Sequence, residues 1–442
     1  MDSSADFGTN LTCWQPVASS PREELSRIKA KNEIPTLSDL FRERFFIDDP
    51  ETAYLDGNSL GRLPLATRDI LNQVIQEQWG RELIRSWNQH WLPLTLRIRE
   101  KIAKLIGAET DEVLVGDSTS VNLFKLAQAC LDTFAPGSKV LSDSTNFPSD
   151  LYILQGLCAR TSGRVVLNQF DLSHCSTEEI ENSLVQQMTQ STKLVVLSHV
   201  HYQSGYLFSM ERLNSRAREI GAKVIWDVSH SVGALPIDVR KSDCDMLVGC
   251  CYKYLNGGPG APAFLYLRRE LQSQLRNPIQ GWFGAADPFA FSDIYQPQHG
   301  IEQFAVGTPC VLSMAAIEPG VDLVLEAGVA QIRTRSLELT DRFIEGLESI
   351  PNEFGYSLVT PRGKDYRGSH VSVRHEHAWQ ITQSLIHDFK VIPDYREPSM
   401  IRFGITPLYT NETDIERAVT ALRRAVGERT YENYSREKSG VT

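Results

Sequence analysis

Lys253 lies in Cys250-Cys-Tyr-Lys-Tyr-Leu-Asn-Gly-Gly-Pro-Gly-Ala-Pro-Ala-Phe264, directly after an apolar run and before a group of glycines that permit close backbone approach. A lysine near a core is costly when charged and unpaired. Its pKa then falls, and its amine becomes a nucleophile or a Schiff-base partner. Taken alone, such a lysine would equally snorkel to the surface. Upstream, Val224-Ile-Trp-Asp-Val-Ser-His-Ser-Val-Gly233 sets the Asp227 carboxylate at the end of an apolar run. A carboxylate there can keep a pyridinium nitrogen protonated, or it can cap the next helix; His230 beside it can serve the same site or simply pack.

Other segments supply what such a heterocycle would need. In Val115-Gly-Asp-Ser-Thr-Ser-Val-Asn-Leu-Phe124, small hydroxylated residues, Thr119 and Ser120 among them, sit between a predicted strand and an amphipathic helix. Helix-terminal N–H groups and the helix dipole favour an anion at that position, although ordinary capping produces similar sequences. Asn146-Phe-Pro-Ser-Asp150 offers the Phe147 ring for stacking on a flat heterocycle, unless that ring belongs to the core. Arg402, inside the apolar Met400-Ile-Arg-Phe-Gly-Ile-Thr406, needs an anion, either a substrate carboxylate or a structural acid. Neither GxGxxG nor a Walker lysine motif is present, so nucleotide binding is not supported. Lysine, ring acid, phosphate cradle and carboxylate clamp together point to pyridoxal 5′-phosphate and amino-acid chemistry.

These residues must be gathered by a scaffold. Short apolar runs at 112–116, 138–141, 163–167, 193–200, 222–228 and 246–250 alternate with helical patterns such as 121–134 and 210–220. Continuous apolar strands of this kind are covered on both faces in a largely parallel α/β sheet, and ligands bind at its carboxyl edge. Amphipathic helices are also predicted at 66–79 and 94–106, and a helical pattern at 22–32. One long helical reach over 312–350 is expected to link the large domain to an α+β module. That module has strands at 370–374 and 401–406 and helices at 378–389 and 412–426. The predicted organisation is an N-terminal arm over 1–62, a large domain over 63–315, and a linker helix with a small C-terminal domain over 316–442.

The chain has 442 residues, enough for a large domain with a smaller companion. Its net charge of −10 argues against general nucleic-acid binding, which requires a basic surface. No apolar run approaches the roughly 20 residues that span a bilayer, and the polar N-terminus lacks a secretory pattern. The eight cysteines show no CxxC pairing, so reduced, mostly buried thiols and a cytoplasmic location are expected, with no metal site.

In combination these motifs resemble kynureninase. The resemblance runs from Tyr54-Leu-Asp-Gly-Asn-Ser-Leu-Gly61 to Arg402-Phe-Gly-Ile-Thr-Pro-Leu-Tyr409 and takes in Asn146 to Asp150, Trp226 to Gly233, Tyr252 to Pro262 and Gly281-Trp-Phe-Gly284 in order. It implies a fold-type I pyridoxal-phosphate enzyme: an α/β large domain with a mainly parallel sheet, plus a small α+β C-terminal domain. It further implies a homodimer with shared sites and hydrolysis of L-kynurenine, or a ring-substituted kynurenine, to an anthranilate-type acid and L-alanine in tryptophan catabolism and NAD biosynthesis. By matching positions, Lys253 resembles the Schiff-base lysine, Asp227 the pyridinium partner and His230 its neighbour. Tyr252 is the candidate for assisting proton transfer. Thr119, Ser120, Ser198 and Tyr252 resemble cofactor contacts, as do Phe147, Pro148, Ser149 and Asp150. Trp282 and Thr308 resemble phosphate contacts supplied across the dimer. Arg402 resembles the substrate carboxylate clamp, with Asn58 and Trp87 on the substrate side. Ala285 stands where the family commonly has histidine, and Gly307-Thr308 is closer to the bacterial pattern associated with unsubstituted kynurenine. Two alternatives differ in class. One is a cysteine desulfurase or selenocysteine lyase using Cys310 as sulfur acceptor; the other is a non-catalytic cofactor-binding protein.

Overall fold

The computed structural model of the protein describes residues 35–438. The predicted helix at 22–32 and the N-terminal Cys13 lie outside the described residues. Two short strands come first, β1 (Ala53–Tyr54) and β2 (Val113–Val115), followed by β3 (Ser138–Asp143), β4 (Val165–Phe170), β5 (Thr192–Ser198), β6 (Lys223–Asp227), β7 (Met246–Gly249) and β8 (Phe264–Leu267). Strands β2 to β8 form a seven-stranded sheet in the order β2-β8-β7-β6-β5-β3-β4. Strands β3 to β7 run parallel, and β8 is antiparallel to both of its neighbours.

The sheet is covered on both faces, which explains its continuous apolar strands. Helix Thr119–Leu131 packs Leu123, Leu126 and Cys130 with Val196, Ile225 and Val248 on one side. On the other, helix Leu92–Ile106 places Ile98 and Ile102 in a cluster with Val195, Trp226 and Leu247. Trp226 is fully buried, and its indole N–H donates to Asn214 Oδ1 at 2.9 Å, so the large ring adds apolar area without an unsatisfied donor.

The smaller sheet contains β9 (Ser357–Leu358), β10 (His370–Arg374), β12 (Asp394–Arg396) and β13 (Met400–Gly404) in the antiparallel order β12-β13-β10-β9, and β11 (Val391–Ile392) pairs in parallel with β1. Helices Val329–Glu348, Ala378–Phe389 and Glu412–Gly427 cover it through Phe343, Leu385 and Leu422. Ala53 and Leu55 belong to this second core, so the first described strand joins the module built from the far end of the chain.

The single helix expected over 312–350 is instead two, Val311–Ala327 and Val329–Glu348, separated at Gly328, whose φ of 77° belongs to the left-handed region. Glycine adopts that conformation without a Cβ penalty, which is what breaks the run. Helix Val311–Ala327 packs with the large-sheet core, and Val329–Glu348 mostly with the small-sheet core. No helix among the described residues is long and apolar enough to cross a membrane. The cysteines from Cys130 onward are free thiols, mostly buried, and Cys310 is exposed.

Candidate active site

Ser198, Asp227 and Lys253 each stand at or just beyond a carboxyl strand end, as parallel α/β architecture requires of a ligand edge. β5 ends at Ser198 and β6 at Asp227, and the two are register partners, while Asp227 is also paired with Val248 of β7. Four residues beyond β7 comes Lys253. The turn that follows is closed by Asn256 N–H to Lys253 O at 2.9 Å and Gly257 N–H to Cys251 O at 2.8 Å, with Asn256 itself at a φ of 54°. Behind it, Gly61 donates to Tyr252 O at 2.8 Å, and a Cβ at Gly61 would collide with Lys253 O. Gly61 is therefore a packing joint that seats the lysine loop.

A cavity of about 850 Å³ opens at this edge, lined by Thr119, Ser120, Phe147, Asp150, Ser198, Asp227, His230, Tyr252, Lys253 and Thr308. Lys253 Nζ is 2.9 Å from His230 Nε2 and lies over the Phe147 and Tyr252 rings at 5.8 and 5.9 Å from their centroids. Burial, reinforced by Lys253, keeps His230 well below the usual histidine pKa, so the ring is neutral, with Lys253 Nζ as its hydrogen-bond partner. Asp227 Oδ1 accepts the Ser229 N–H at 2.8 Å, yet burial still raises its pKa. Asp150, wholly enclosed, is raised well above the carboxylate range by burial and by the neighbouring Asp227 charge. The site thus holds two buried carboxyl groups beside Lys253. Asp150 Oδ2 and His230 Nδ1 are buried without a hydrogen-bond partner among the described residues. Asp227 offers a buried acceptor for a protonated ring nitrogen beside these open polar atoms, so the set fits a pyridinium.

Another part of the cavity wall suits a phosphate. Helix Thr119–Leu131 begins there with Ser118 as its cap, its hydroxyl accepting Val121 N–H at 3.3 Å. The first N–H groups of a helix have no intrahelical acceptor, and Thr119 and Ser120 occupy those positions. Ser120 Oγ is 2.6 Å from Ser149 Oγ, in the first turn of helix Pro148–Ala159. Ser198 Oγ donates to Asn146 Oδ1 at 2.6 Å, which also accepts Phe147 N–H at 2.8 Å and fixes the aromatic ring's backbone. Pro148 and Ser149 therefore support the wall without lining it.

Four further predicted residues, Arg402, Asn58, Trp87 and Trp282, are also not on the cavity wall. Arg402 is fully buried and its guanidinium is taken by Asp394 Oδ2, Tyr202 O at 2.6 Å and Ser59 Oγ at 3.2 Å. In place of a vacant carboxylate clamp the structure has an internal ion pair, because a buried guanidinium left without an anion is costly and β12 sets Asp394 directly opposite it. Asn58 is enclosed beside Gly404, where an added Cβ would strike its amide. Trp87 is half-buried and packs on Trp91 and Phe283 with centroids at 5.1 and 6.2 Å. Trp282 is exposed, donates to Pro288 O and stacks on Phe291. Sequence reasoning passed over the cavity's other wall, where Phe283, Phe289 and the Arg99–Glu302 ion pair at 2.5 Å stand; the aromatic run after Gly281 was the available signal. Cys310 also lines the cavity, but it directly precedes helix Val311–Ala327 and its carbonyl accepts Met314 N–H at 2.8 Å.

Known proteins resemble this chain in fold and in sequence. Among solved structures, a cysteine desulfurase from Thermococcus onnurineus NA1 superposes with a TM-score of 0.76 at 20% identity, covering 90% of this chain and 99% of that one. The cysteine desulfurase CsdA from Escherichia coli gives 0.76 at 17% identity, covering 90% of this chain and all of that one (100%). At that identity the likeness shows the fold, that of fold-type I enzymes, and no more. Sequence narrows it: residues 332–422 match the kynureninase C-terminal domain. Kynureninase from Pseudomonas fluorescens is 42% identical over 383 residues, 86% of this chain and 90% of that protein. Kynureninase from Burkholderia mallei strain SAVP1 is 42% identical over 375 residues, 84% and 88% respectively. With agreement of that extent across both the large and the small sheet, the chain belongs to the kynureninase family.

Proposed function

We propose that the protein hydrolyses the Cβ–Cγ bond of L-kynurenine to anthranilate and L-alanine, with pyridoxal 5′-phosphate held at the carboxyl edge of the large sheet. The observation that carries this reading is Lys253 Nζ, buried in the cavity and hydrogen-bonded at 2.9 Å to a neutral His230, one strand away from the buried Asp227. When bound, the cofactor supplies an electron sink for a carbanion beside the substrate nitrogen. Asp227 would hold the ring nitrogen, Phe147 its face, and Thr119, Ser120 and Thr308 the phosphate.

The chain's own groups do the proton work. As the neutral amine, Lys253 Nζ would take a proton from the substrate α carbon, and His230 Nε2, 2.9 Å away, is its hydrogen-bond partner in the resting arrangement. Burial raises the Tyr252 hydroxyl above the usual tyrosine range, so it remains protonated and serves as a donor on the cavity wall. A water is required at the γ-carbonyl. The aromatic wall of Phe283 and Phe289 offers an apolar surface for the aryl ring.

The finer readings rest on further features. The exposed Trp282, Phe289 and Phe291 support a homodimer that covers them, with Trp282 and Thr308 shared between sites. The free thiols fit a cytoplasmic location, and kynurenine as substrate fits a role in tryptophan catabolism and NAD biosynthesis. Incubation with L-kynurenine and with 3-hydroxykynurenine, followed by mass spectrometry, should yield alanine together with anthranilate or its hydroxylated counterpart. Absence of alanine with both substrates would overturn the assignment.

A further inference from the structure

Lys125, six residues into helix Thr119–Leu131, is completely buried, which is unusual for a lysine and has a cost unless its ammonium is paired. Its Nζ donates to Asp117 Oδ2 at 2.8 Å and to Phe304 O at 2.9 Å. Both partners are acceptors, and the Asp117 carboxylate favours the protonated amine; burial pulls its pKa down and Asp117 opposes that pull. Asp117 lines the cavity beside Thr119 and Ser120 and has a φ of 53°, a left-handed conformation that a side chain other than glycine holds only when its surroundings fix it.

The surroundings do fix it. Gly116 N–H donates to Ala263 O at 2.8 Å, Ala263 N–H returns to Asp117 O at 2.9 Å, and Asn122 Nδ2 donates to Gly116 O at 2.9 Å. Lys125 adds the charged tether, and through Phe304 O it ties the same turn to the segment that leads to Thr308. An uncompensated carboxylate at this position would repel a dianion at the helix start. We infer that Lys125 is a positioning residue for the cofactor phosphate: it neutralises Asp117 and locks the turn that presents Thr119 and Ser120. The inference rests on the proposed placement of the phosphate at that helix start.

The test uses holoenzyme stripped of cofactor and retitrated with pyridoxal 5′-phosphate or with pyridoxal, which lacks the phosphate, following absorbance and the thermal midpoint of the stripped protein. Lys125→Met should weaken pyridoxal-phosphate affinity by about tenfold or more while leaving pyridoxal affinity unchanged. Lys125→Arg should retain most of the affinity. Lys125→Met combined with Asp117→Asn, which removes both charges at nearly constant shape, should bring affinity back to within about threefold of the parent. A double variant as weak as Lys125→Met, or equal losses for both ligands, would overturn the inference. Thr119→Val with Ser120→Ala tests the underlying placement separately: if that variant keeps full pyridoxal-phosphate affinity, the phosphate lies elsewhere and the role of Lys125 falls with it.

Discussion

At the edge of the large sheet, Lys253 shares a cavity with two buried carboxyl groups, and Asp150 and His230 each keep a polar atom with no partner among the described residues; in the small sheet, Arg402 is buried just as deeply but is closed by Asp394, Ser59 and Tyr202 O. The first arrangement is unfinished without a ligand. The second is closed through one Asp394 oxygen, which Ser59 Oγ and Arg396 also bind at 2.6 and 3.0 Å, while Asp394 Oδ1 and Arg402 Nε are buried without a hydrogen-bond partner among the described residues. Burial alone therefore does not identify a reactive group. What distinguishes the lysine cluster is that its open polar atoms line a cavity large enough for a ligand, whereas Arg402 and Asp394 line none of that wall.

The largest expected effect is on the open cluster. Lys253→Ala should lose the visible absorbance of the lysine-linked cofactor and reduce turnover by roughly 10⁴-fold. A visible spectrum identical to that of the parent would remove Lys253 from the site. The closed cluster should respond mainly in stability. Arg402→Met leaves Asp394 short of its principal cation and should cost about 2 kcal/mol or more in urea unfolding, most of it regained when Asp394→Asn is added. If Arg402 leaves Asp394 to meet the substrate carboxylate, that double variant still shows a raised KM; a KM equal to the parent's would make the arginine purely structural.

The smallest effect concerns Asp56, next to the closed cluster, whose pKa is pushed up to about 7 by burial and by the Asp394 charge. Because the folded state holds this proton more tightly than the unfolded chain, the group contributes stability below its ordinary value of 3.8 that is lost as pH rises through about 7. Asp56→Asn should flatten that fall, with a difference on the order of 2 kcal/mol between pH 5 and pH 8. Parallel melting curves for the two proteins across that range would show that Asp56 carries no such linkage.

Much of the open cluster was legible along the chain, since strand, polar end and glycine turn are neighbours in sequence: Asp227 follows β6 directly and Lys253 follows β7 by four residues. Helix breaks were less legible. The pattern over 312–350 stays helical on either side of Gly328, and a glycine inside such a run reads as tolerated until its φ is known. Short strands such as β1, β9, β11 and β12 carry too few residues for a period, and pairing rather than propensity makes them strands.

By itself the sequence determined the α/β alternation, the residue types at the carboxyl edge and, through its motifs, the family, because each depends on spacing over a few residues. Only the tertiary structure decided which charges meet. Asp394 and Arg402 become opposite neighbours through the register of β12 on β13, and Lys125 reaches Asp117 because a left-handed turn folds the carboxylate back over the helix start. Partner choice of this kind follows from distance and desolvation in the folded interior, and neither is written in the order of residues.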